Sequence, residues 1–93
     1  MNIEEAVAAA TEGATTLLSC LGQPVVAYHV TAIMREANAG HALEMQQQFL
    51  RRTVEALCAD GLEDGAAVRF ACVLESRVGR AWQRLHSADV APH

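Results

Sequence analysis

The residues best suited to grip another molecule lie between positions 69 and 86, in RFACVLESRVGRAWQRLH. At about 100° per residue, Arg69, Arg77, Arg80 and Arg84 fall within a sector of roughly 80°, opposite the face of Phe70, Leu74, Val78 and Leu85. The stripe is roughly 22 Å long at 1.5 Å per residue. A guanidinium is a planar, permanently charged fork that matches a carboxylate or a phosphate with paired hydrogen bonds. The plainer use is a solvated face, with Arg80 and Arg84 complementing the negative end of the helix dipole. The functional use is a grip on an acidic protein surface, and after that on nucleic-acid phosphate. Net charge sets that order, since a chain of formal charge −4 repels polyanions at long range.

A second chemical feature is MQQQFL, residues 45–50. Helical projection puts Gln46 in an apolar sector with Leu43, Phe49, Leu50 and Leu57, and Gln47 at its edge. A buried amide left without partners costs on the order of 1 to 3 kcal/mol, so it finds a partner or stays near water. Either this face reaches the end of the fold, or Gln46, Gln47 and Phe49 meet a subunit or partner, where a polar group fixes register. Tyr28, Thr31 and Arg35 share the outward side of a further segment. A tyrosine beside an arginine is a common interface anchor, although single exposed aromatics are ordinary.

Nucleophiles and metal ligands are present without a pattern. His29, His41, His86 and His93 form no HxxxH or HExxH, and Cys20, Cys58 and Cys72 stand at no metal-ligand spacing. His29 lies near the edge of its apolar face, within reach of Glu36 or a neighbouring helix. No glycine-rich phosphate loop, nucleophile elbow or carboxylate pair on one buried face occurs. The expectation is a protein without catalysis, metal or cofactor.

The elements that must hold these residues read as about four amphipathic helices. The first runs from Ile3 to about Leu21, capped by Asn2 with Glu5 at its third position, a box-like start. Ile3, Val7, Ala10, Ala14, Leu17, Leu18 and Leu21 share its apolar face. Its weak point is EGATT, where Gly13, Thr15 and Thr16 lower helix propensity and invite a break. Ala9 and Gly13 flank the stripe and are small enough to admit a close neighbour, so both are interface candidates. The second helix begins with Pro24, buries Val26, Val30, Ile33, Met34 and Ala37, and stops at NAG, residues 38–40. Its VVAYHVTAI run is β-branched enough for a strand, but no second strand exists to pair with it. The third spans about His41 to Ala59, with Leu43, Phe49, Leu50, Val54, Leu57 and Cys58 inward and Ala42 and Thr53 beside them. The fourth starts with Asp64 as N-cap and ends near His86, burying Phe70, Ala71, Leu74, Val78, Ala81, Trp82 and Leu85. The tail from about residue 87 reads as frayed.

These 93 residues suffice for one small all-α domain, a compact bundle with antiparallel neighbours and a thin core. The chain has no lysine and is rich in alanine, which is what a GC-rich coding bias produces. Small alanine-rich helical chains of this size occur among bacterial regulators, inhibitors and chaperones. An odd number of scattered cysteines and no signal-peptide pattern fit a reducing cytoplasm. The expected function is a small non-catalytic regulator, adaptor or chaperone-like protein that masks a partner protein, working as a homodimer and away from membranes. The alternative is a helix-turn-helix-like DNA-binding regulator, for which NAGH would be the turn.

Overall fold

The computed structural model describes residues 2–87, and the expected frayed tail lies outside them except for Ser87. Among the described residues the fold is all-α, 86% helical, with five helices where about four were expected. They are α1 (Ile3–Thr11), α2 (Thr15–Leu21), α3 (Gln23–Arg35), α4 (Ala39–Ala59) and α5 (Asp64–Ser87). The fifth arises because the first predicted helix breaks at Glu12–Ala14. Asn2 and Glu5 form the anticipated capping box at its start. At its end, Gly13 turns the chain at φ 77°, a left-handed conformation that glycine adopts without a Cβ penalty.

Chain direction alternates through the bundle. The joined α1–α2 arm runs one way, α3 back, α4 forward and α5 back. α1 packs on α5 and α3, while α2 packs on α4 and α3. Gly22, at φ 86°, closes α2 by donating its N–H to Leu18 O and opens α3, whose second residue is Pro24. The β-branched run of α3 is helical, with Val26, Val30, Ile33 and Met34 buried. Ala37 is exposed, because α3 stops at Arg35.

Two helix starts differ from the sequence reading by one or two residues. Asn38 caps α4 rather than ending α3, its side chain accepting from the His41 N–H at 2.9 Å. Glu63 holds the start of α5, its carboxylate accepting from Gly65 N–H and its carbonyl from Ala67 N–H. Asp64 is thus the first helical residue.

The core joins Ala6, Ala10, Ala14 and Leu17 of the first arm to Val26, Val30, Ile33 and Met34, to Phe49 and Leu50, and to Ala71, Leu74, Val78 and Ala81. Alanines at 6 and 10, fully enclosed, bring α1 close to α5. On α4 the inward positions are Ala42, Gln46, Phe49, Leu50, Thr53 and Leu57. That face is rotated by roughly 50° from the expected one at about 100° per residue. Phe49 is the largest group to bury, and the small Ala42 and Thr53 beside it allow close approach. Leu43 is consequently 50% exposed rather than buried.

Candidate functional site

The four arginines do not act as one stripe. Arg69 stands at the start of α5 beside Glu63, 3.9 Å away, both highly exposed. Such a pair contributes little in water. Arg77 turns along the surface toward α1 and donates from Nη1 to the carbonyl of Glu12, the residue that ends α1. It satisfies a carbonyl that the helix break leaves without an intrahelical partner. Arg80 and Arg84, one turn apart, remain exposed. Among the described residues the ion pairs are Glu36–His41 and Glu63–Arg69, so neither Arg80 nor Arg84 has a carboxylate partner there.

Around them α1 and α5 form a groove lined by Ala9, Glu12, Arg77, Arg80, Ala81 and Arg84, about 300 Å³ in volume. Its floor is alanine, which the close packing of α1 on α5 requires, and its rim carries three guanidinium groups against one carboxylate. A second, mostly apolar cleft of about 170 Å³ continues past Glu12 and Arg77, bounded by Gly13, Ala14, Phe70, Val73 and Leu74. The small residues Ala9 and Gly13 therefore serve this groove and the chain corner. The close neighbour they admit is α5 of the same chain.

Gln46 is 7% exposed and donates from Nε2 to the backbone carbonyl of Glu75 at 2.9 Å. It lies mid-bundle and fixes the register of α4 against α5 within the chain. Phe49 is likewise enclosed within the chain and stacks on His29, with ring centroids 5.5 Å apart. Gln47 stays on the surface. Tyr28, 71% exposed, sits edge-on to His29 beside a cleft between α3 and α4, and Arg35 lies two turns further along α3. The structure does not bring this pair to the arginine groove.

Further polar contacts were not anticipated. His41 Nδ1 lies 2.7 Å from Glu36 Oε1, so His41, not His29, meets that carboxylate. Trp82 donates its indole N–H to Glu36 O, and His86 Nε2 bonds Met34 O, each at 2.9 Å. Both close the carbonyls at the end of α3, and the two rings lie 4.2 Å apart. The i, i+4 spacing of Trp82 and His86 was the available signal, pointing to a joint between helices. At the other end of the bundle Cys20 donates to Asp60 and Cys58 to Asp64, each at 3.3 Å. Burial first, then the Asp60 hydrogen bond and charge, raise the Cys20 thiol above its ordinary range. For Cys58 the Asp64 hydrogen bond comes first, followed by burial and the charges of Asp64 and Glu63. These are protonated, poorly nucleophilic thiols.

No protein-family model, curated protein or solved structure matches the chain. Among the described residues no helix is long and apolar enough to cross a membrane.

Proposed function

We propose that the protein is a small non-catalytic regulator or adaptor that holds an acidic segment of a partner protein in the α1/α5 groove. The observation that carries this reading is the pair Arg80 and Arg84, exposed over an alanine floor with no carboxylate partner among the described residues. Arginine forks placed this way recognise carboxylates by geometry as well as charge. A bacterial cytoplasm is the compartment the reading assigns, and three free thiols suit it. The adaptor acts as a homodimer in this reading. Its arginine groove faces outward, because two such grooves would oppose like charges.

Nucleic acid is the runner-up ligand. Formal charge −4 weighs against it.

The test is affinity capture from the native host's lysate, with and without nuclease, using the wild type and an Arg80→Glu/Arg84→Glu variant. One protein recovered near equal stoichiometry in both lysates, and lost with the variant while its helical circular dichroism persists, is the expected result. Recovery that requires intact nucleic acid would move the groove to phosphate. Recovery unchanged by the variant would remove the groove from the account.

A further inference from the structure

The rotation of α4 leaves a second surface on the opposite side of α5 from the arginine groove. Leu43, Gln47, Leu50 and Val54 form one column along α4. Beside it on α5 stand Val68, Ala71, Cys72, Glu75 and Gly79. The middle of the two columns encloses a shallow, mostly apolar cleft, with Gln47, Arg51 and Glu75 on its margins. Leu43 and Val68 are each 50% exposed, and Cys72 is exposed as well.

We infer that this face binds a second copy of the chain, α4 of one protomer lying on α5 of its partner about a two-fold axis along the α4/α5 seam. The inference rests on the homodimer reading above and assigns its surface. The face is complementary to itself. The Gln46–Glu75 hydrogen bond sets the level of the two antiparallel helices. Three residues earlier on α4, Leu43 stands within about one residue's rise of Gly79 on α5. A two-fold axis along the seam sets each residue against the one level with it on the other helix. Leu43 then enters the notch at Gly79 of the partner subunit, where even a Cβ would meet no atom within 4 Å. Val54 meets Val68 of the partner subunit. Gln47 donates its amide to Glu75 of the partner subunit, and Arg51, one turn further, reaches the same carboxylate.

One arginine and one glutamate per copy make the face neutral and mutually attractive, whereas the arginine groove repels its own image. The apolar strip from Leu43 to Val54 is about 17 Å long and two helices wide, less than half of the roughly 800 Å² per partner of a standard interface. The dimer is therefore weak and concentration-dependent.

Sedimentation equilibrium and light scattering from about 1 to about 500 µM, a range that brackets micromolar to sub-millimolar dissociation constants, test this. The wild type is expected to rise from the 10.0 kDa monomer toward twice that mass. Leu43→Glu and Gly79→Leu each raise the dissociation constant at least tenfold without loss of helical circular dichroism, since both positions are open in the monomer. Arg51→Glu and Glu75→Arg each weaken the dimer, and combining them restores it. Arg80→Glu/Arg84→Glu leaves it unchanged. A monomer at every concentration would overturn the homodimer itself. A dimer indifferent to Leu43→Glu and Gly79→Leu would overturn only its placement here.

Discussion

Arg77 and Arg84 sit seven residues apart on one side of α5, yet their chemistry differs because only Arg77 lies level with the end of α1. Its guanidinium closes the Glu12 carbonyl, while Arg84 projects over Ala81 and Ala9 into water. Arg77→Ala is expected to lower unfolding free energy by about 1 kcal/mol, the low end for a charged donor because the group is exposed. Arg84→Ala should fall within about 0.5 kcal/mol of the wild type, as surface changes do. Urea denaturation of the two variants separates them, and equal losses would mean that the Glu12 contact contributes nothing. The sector of the arginines was legible from their spacing alone. Which of them turns to the end of α1 was not, since the Glu12 carbonyl is freed only by a helix break 65 residues away in the chain. Gln46 shows the same limit: its burial was legible from periodicity, its acceptor on another helix was not.

Among the elements, those with local chemical punctuation were the most legible. Asn2 with Glu5, the glycine–proline pair at 22–24, and Asp64 all mark ends that the structure keeps to within a residue or so. Asn38 was misread because an asparagine after a helix and one before a helix look alike in sequence. The inward face of α4 was misphased for a different reason: equal weighting of leucines favoured Leu43, while volume favoured Phe49. Two glycines now make opposite predictions. At Gly13 the backbone is left-handed and an added Cβ would stand 3.2 Å from Arg77 Nη1. Gly13→Ala should therefore cost about 1 to 2 kcal/mol. Gly79 lies in regular helix with open space around it, so Gly79→Ala should stabilise by up to about 1 kcal/mol. Thermal melts of both should move in opposite directions; a stabilised Gly13→Ala variant would mean the α1–α2 corner is not required.

Across the whole molecule the two ends of the bundle carry different polar chemistry. One end joins α2, α4 and the α4–α5 loop through the Cys20–Asp60 and Cys58–Asp64 contacts. Both thiols are raised on folding, so the folded chain keeps protons that the unfolded chain gives up first as pH rises. Stability is then highest below the ordinary thiol range and declines through the alkaline side of it. Replacing Cys20 and Cys58 by serine, which does not titrate there, should flatten that decline in urea midpoints measured at neutral and alkaline pH; an unaltered slope would assign it to other groups. The opposite end is held by Trp82 and His86 on the last carbonyls of α3. Trp82 is the only tryptophan in the chain. Its indole is half-buried, bonded to a carbonyl and set against an imidazole, three conditions that each alter its emission. The chain thus carries its own optical label at the joint between α3 and α5. Fluorescence can follow the seating of α3 on α5 with no dye attached.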